Sequence, residues 1–164
     1  MSQTELRFEE HLKKCAMPQY GKIAVALDHS MRSAVALRRA ISLAKAFCSK
    51  LYVIHVIPTK LPFATRAHAA IPQELYEIQF EHAKDVLSSA SKAAKEEGIE
   101  AEAVLLEGDP AEEIIKFVND SGIDLLVVSS KEKEGTLKNL GSVSSKIAEQ
   151  SKTSVLIERQ ASQG

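Results

Sequence analysis

The sequence lacks the features that would commit it to a special environment. Its 164 residues hold two cysteines, Cys15 and Cys48, far apart and forming no CxxC pair. That count excludes a disulfide framework and a cysteine-rich metal site, and it suits a reducing compartment. No uncharged apolar stretch approaches the roughly 18–20 residues that cross a bilayer. Glu5, Arg7, Glu9 and Glu10 crowd the first turns, so no secretory leader is expected there. An excess of one charge is missing as well: the formal net charge is −1, which gives no electrostatic footprint for nucleic acid or an acidic membrane. There is no P-loop of the form GxxxxGK(S/T). His11, His68 and His82 stand at no metal-ligand spacing, and no metal is assigned. Repeats, low-complexity tracts and linkers are absent too. The expectation is a soluble, cytoplasmic protein with neither a nucleic-acid nor a membrane partner.

What is present reads as one ordinary globular domain. Apolar content of 45% and charged content of 26% are typical, and the length suffices for a buried core. Residues 1–19 form an extension. Glu9 with Lys13 and Glu10 with Lys14 suit a short helix, Met17-Pro18 stops it, and its thin apolar set is Leu6, Phe8 and Leu12. Such a helix is either a partly ordered flap or a cover for a sheet edge or a partner.

From residue 20 to 158 the pattern alternates apolar runs with amphipathic stretches. Residues 22–27 (KIAVAL) form a continuous apolar run, as in a strand covered on both faces, and end in the polar cluster Asp28-His29-Ser30. Ser30 suits an N-cap, and Ala34, Leu37, Ile41, Ala44 and Phe47 give the following helix its expected stripe, with Cys48 as inert core at its end. Residues 51–57 (LYVIHVI) are a second strand, in which His55 reads as a hydrogen-bonded core or rim histidine. Residues 59–71 lack periodicity, which marks a functional or mobile loop. A long helix follows from Pro72, with Leu75, Ile78, Gln79, His82, Val86 and Ala90 at helical spacing and Gly98 as stop signal. Residues 101–106 are a third strand. Asp109-Pro110 with Glu112 and Glu113 opens a fourth helix as N-cap, first-turn proline and first-turn acids. A fourth apolar run, 125–128, leads into Ser129, a charged loop, and Gly141-Ser142 opening a short helix. The last strand is SVLI, Ser154 and Ile157 at its ends, and residues 159–164 form a tail.

This order predicts an α/β, doubly wound parallel sheet of five strands with helices on both faces and right-handed crossovers. Ligands in such sheets sit outside the carboxyl ends of the strands, where the strand order reverses. Two polar exits compete for that place: Asp28-His29-Ser30, and the segment from Ser129 to Gly141. At the second, the free N–H groups of a helix start and its dipole favour an anion, although the same groups serve a plain N-cap.

The runs IAVALDHS, HVI, GDPAEEII and LGSVSSKIAEQSKTSVLI resemble the universal stress protein family over about residues 20–158. The resemblance implies strand order 3-2-1-4-5, usually a dimer, and in one branch ATP at the switch point between strands one and four. In that branch the aspartate ending the first strand, here Asp28, meets the nucleoside, and the backbone of Val56 meets adenine. The phosphates follow a loop of the form G-x2-G-x9-G-(S/T), whose final pair is matched by Gly141 and Ser142, with Val143 next. The earlier glycines are not matched: Ser129 holds the first position, and Glu132 or Lys131 the second, in a loop one residue shorter. A side chain at such a glycine costs on the order of 1 kcal/mol and blocks close approach. The nearby Glu132 repels phosphate, whereas Lys131, Lys133 and Lys138 offer compensating charge.

The leading expectation is therefore a dimeric binding module, responsive to ATP or AMP, that uses Asp28, Val56, Ser129, Lys131, Gly141, Ser142 and Val143. Mg²⁺ would enter only with ATP, and closure of residues 59–71 would present a changed surface to an unidentified protein partner. The alternative is a nucleotide-free homodimeric scaffold joined through residues 154–157, an apolar strand at a sheet edge. A slow ATP-hydrolysing enzyme is the third reading. No catalytic residue is assigned, since no base is indicated beyond Asp28.

Overall fold

The computed structural model describes residues 2–15, 19–28, 30–59, 71–130 and 141–159. The elements are α1 (Gln3–Lys14), β1 (Lys22–Ala26), α2 (Met31–Phe47), β2 (Lys50–Ile57), α3 (Gln73–Glu96), β3 (Ala101–Glu107), α4 (Pro110–Asp120), β4 (Leu125–Ser129), α5 (Ser142–Gln150) and β5 (Ser154–Glu158). All strand pairs are parallel, in the order β3-β2-β1-β4-β5. The continuous apolar runs of the central strands have the reason expected of them. Side chains of β1 alternate between two cores: Ile23 and Val25 lie under α2 and α3, Ala24 under α4 and α5. With no face of the strand left to water, no polar position is tolerated.

Helix ends follow local chemistry. Ser30 caps α2 by accepting the Ser33 N–H at 3.2 Å, and Asp109 caps α4 by accepting the Glu112 N–H at 3.0 Å, with Pro110 in the first turn. Gly98 takes a left-handed φ of 79° just past α3.

The helix faces differ from the expected stripes. In α2 the buried set is Ser33, Ala36, Ala40, Ile41 and Ala44, while Ala34 is exposed and Phe47 is 52% exposed. Small residues let the helix sit close on the sheet, and Leu37 is displaced to the rim. Phe47 instead meets Tyr20 edge-on, ring centroids 5.3 Å apart. Cys48 is exposed rather than core, because it occupies the left-handed cap after α2 at φ 53°. In α3 the core seam is Ala83, Leu87, Ala90 and Ala94, and Ile78 is 60% exposed. The 24 residues of α3 span about 36 Å, against about 26 Å for the 8 residues of β2. Its first turns therefore overhang the carboxyl end of the sheet, where no strand lies beneath them.

Helix α1 buries no residue, although its capping box, Ser2 with Glu5, is complete. Met17, Pro18, the loop residues 60–70 and the charged residues 131–140 lie outside the described residues. The flanks of the first loop are joined, Ile71 N–H donating to Thr59 C=O at 3.3 Å. Among the described residues no helix is long and apolar enough to cross a membrane.

Candidate functional site

Strand order reverses between β1 and β4, and their carboxyl ends open onto a cavity of about 460 Å³. Ligand pockets fall in a range of about 300–1,000 Å³. The walls come from several elements that meet there. Asp28 leaves β1, Val56 leaves β2, Ser129 leaves β4, Val143 and Ile147 stand on α5, Ile114 on α4, and Gln79 and His82 on the overhanging turns of α3. A second cleft of about 440 Å³ between α2 and α3 shares Leu27, Asp28 and His82 with the first.

The β1 exit is a hydrogen-bonded turn. Asp28 Oδ1 accepts the Ser30 N–H at 2.7 Å and also the Ser30 hydroxyl, while Ser33 Oγ donates to the Asp28 carbonyl at 2.8 Å. The carboxylate thus lies at the cavity and also shapes the start of α2. His29 lies outside the described residues.

The β2 exit presents backbone. Ile54 C=O accepts from Leu27 N–H at 2.8 Å, and Ile57 C=O accepts from Gly108 N–H at 3.0 Å. Alternation along the strand therefore turns the N–H and C=O of Val56 to the same side as those of Ile54, toward β1. By that level β1 has left the sheet. Leu27 C=O accepts from His55 Nδ1 at 2.8 Å, and because a carbonyl only accepts, Nδ1 carries the proton. His55 is 5% exposed and serves as the hydrogen-bonded rim histidine expected of it.

The β4 exit is held by residues distant in sequence. Ser144 Oγ donates to Ser129 C=O at 2.8 Å, Ser130 N–H donates to Glu158 C=O at 3.1 Å, and Arg32 Nη1 donates to Ser130 C=O at 3.3 Å. Gly141 is the N-cap residue of α5 at φ −57°, a conformation any residue adopts. Its lack of a side chain matters for access to the helix N-terminus, not for backbone freedom. Ser142 is exposed beside it, and Val143 faces the cavity. Lys131 lies outside the described residues.

Of the sequence-predicted set, Asp28, Val56, Ser129 and Val143 line one cavity, with Gly141 and Ser142 on the turn leading into it. Sequence reasoning missed Arg32, which sits in the first turn of α2 yet reaches the end of β4. It also passed over Gln79, although a polar residue inside an apolar helical stripe was a signal in plain sight. The roof is pinned from outside: Tyr76 donates to Glu107, which holds the phenol pKa above its ordinary value, and Tyr76 stacks on Phe80 with centroids 6.3 Å apart. Among the described residues no group of three or more His, Cys, Asp or Glu could hold a metal ion.

Residues 19–159 match the model of the Universal stress protein family. "Universal stress protein YxiE" of Bacillus subtilis is 34% identical over 147 residues, covering 85% of this chain and 99% of that one. Among solved structures, "Universal stress protein UspA from Lactobacillus plantarum" superposes with a TM-score of 0.74 at 19% identity, covering 87% of this chain and all (100%) of that one. That likeness is one of fold. A universal stress protein solved "in complex with cAMP" is 26% identical with a TM-score of 0.65, covering 87% of this chain and 98% of its own.

Proposed function

The chain belongs to the universal stress protein family, and from that premise we propose that it is an adenine-nucleotide-responsive binding module rather than a catalyst. One observation carries the reading: Asp28, Val56, Ser129 and Val143, chosen on sequence, line a single cavity at the point where strand order reverses. The base lies on the apolar floor with its edge against the N–H and C=O of Val56. Asp28 accepts from ribose hydroxyls, and the phosphates approach the N–H groups of Gly141, Ser142 and Val143 at the start of α5. The relative solved with cAMP, and the family premise, support this choice of ligand. Arg32 supplies positive charge at the β4 exit, where Ser129 replaces the glycine of the nucleotide-binding branch. Lys131 follows directly in sequence. Mg²⁺ accompanies a triphosphate only. No hydrolytic base is assigned: Asp28 is the only acid lining the cavity among the described residues, and its carboxylate already serves the turn.

Equilibrium dialysis with ATP and AMP against wild type and Gly141→Asp tests the reading. The backbone at φ −57° accepts aspartate, a favoured N-cap, so the fold persists while a negative charge enters the phosphate position. Binding is expected to weaken about tenfold or more. Equal retention by both proteins ends the proposal.

A second reading rests on β5, which lies at the edge of the sheet with Val155, Leu156 and Ile157 only partly buried. In it the chain is a nucleotide-free scaffold that homodimerises along this strand. Glu158 C=O faces β4, so alternation turns the N–H groups of Val155 and Ile157 outward, where a partner strand would bond them. Light scattering tests it, and a monomer mass for the wild type removes it.

A further inference from the structure

The nucleotide reading leaves Gln79, a polar side chain of the cavity, without a role. Gln79 stands on the overhanging turns of α3 and lines the cavity, and its Oε1 is buried with no hydrogen-bond partner among the described residues. A buried amide oxygen left unpaired is costly, and most such groups in native structures are satisfied. Elsewhere in α3, the residues turned to the sheet are Ala83, Leu87, Ala90 and Ala94. A leucine at position 79 would have continued that pattern without the penalty. The cavity therefore offers two polar readers from separate elements: the peptide N–H and C=O of Val56 on β2, and a carboxamide on α3.

Resting on the nucleotide reading above, we propose that Gln79 is a specificity-determining residue that recognises a purine through an exocyclic amine and the adjacent ring nitrogen. Adenine carries two hydrogens on N6, flanked by the acceptors N1 and N7. The backbone pair of Val56 takes N1 and one N6 hydrogen. The carboxamide of Gln79 takes the other hydrogen on Oε1 and donates to N7, the bidentate pairing in which glutamine matches adenine. A 6-oxo purine presents two acceptors on that edge, which leaves Oε1 facing a lone pair. Discrimination thus arises at N7 and at the 6-substituent together, whereas Val56 is blind to N7.

Calorimetry with AMP, 7-deaza-AMP and IMP on wild type and Gln79→Leu tests this. Wild type should bind AMP about tenfold more tightly than 7-deaza-AMP and still more tightly than IMP. In Gln79→Leu the ratio of AMP to 7-deaza-AMP should collapse toward unity, with thermal stability equal to or above wild type because the unpaired oxygen is gone. If wild type binds AMP and 7-deaza-AMP alike, or if the leucine variant keeps the ratio, the role of Gln79 is overturned while nucleotide binding stands. If wild type binds none of the three, both fall.

Discussion

The two strand exits that flank the crevice are built on opposite plans. After β1, the bonds within the Asp28–Ser33 turn join residues no more than five positions apart, Ser30 to Asp28, Ser33 to Ser30 and Ser33 to Asp28, while Leu27 just before it is tied to β2 through Ile54 and His55. After β4, the closing bonds come from Ser144, Arg32 and Glu158, separated from their partners by 15, 98 and 28 positions. A turn of the first kind is specified by its own residues and forms whenever the chain is locally collapsed. A turn of the second kind exists only after α2, α5 and β5 have docked. One wall of the crevice thus carries a locally specified turn and the other is assembled from distant elements, so the phosphate-side wall should be the one that ligand and mutation perturb most.

The comparison breaks most visibly at Ile147, the fully buried anchor that seats α5 on the sheet. Ile147→Ala should cost about 2–5 kcal/mol in urea unfolding. Hydrogen exchange should speed up in α5 and at Ser129 while the Asp28–Ser33 turn keeps its protection. Equal loosening of both exits would refute the assembled-wall account. A smaller effect is expected at the local turn. Asp28→Ala removes the acceptor for Ser30 and should cost about 0.5–2 kcal/mol, as for a lost cap, with exchange changes confined to the start of α2. Ser144→Ala comes next. It deletes one hydrogen bond to Ser129 C=O and should cost about 0.5–1.5 kcal/mol, with exchange rising at both ends of that long-range bond.

The same contrast decides what could be read from the sequence. Strands, the caps at Ser30 and Asp109 and the stop at Gly98 depend on residues within a turn of one another, and their chemistry is written locally. The strand order and the placing of Asp28 opposite Val143 came through the family likeness, because pairing of β1 with β4 joins residues about a hundred positions apart. Arg32 was illegible for that reason: as a first-turn arginine it resembles any solvated helix residue until β4 arrives beside it. The stripes of α2 and α3 were misjudged because spacing shows that a helix has an apolar face, not which small residues will meet the sheet. Cys48 was taken for core since cysteine usually is, yet the left-handed cap at φ 53° turned it outward. Gln79 sat within the expected stripe, and only the overhang of α3 beyond the sheet converts it from a packing position into a cavity wall.

The smallest expected effect concerns a further long-range closure, the Tyr76 hydroxyl on Glu107, which fastens the roof of the crevice to the end of β3. The hydrogen bond to Glu107, aided by desolvation and the charge of the carboxylate, raises the phenol pKa above its ordinary value of about 10. A raised pKa means that the folded protein holds this proton more tightly than the unfolded chain does. The bond therefore contributes fully below about pH 10 and is lost as pH rises through the raised value. Tyr76→Phe should lower the urea midpoint at pH 8 by less than Ser144→Ala does, because the bond is exposed to solvent. At pH 11 the gap between Tyr76→Phe and wild type should narrow, as the wild-type phenolate comes to face Glu107. No gap at either pH would mean that the ring stacked on Phe80, which Tyr76→Phe keeps, and not the hydroxyl, holds the first turns of α3 over the cavity.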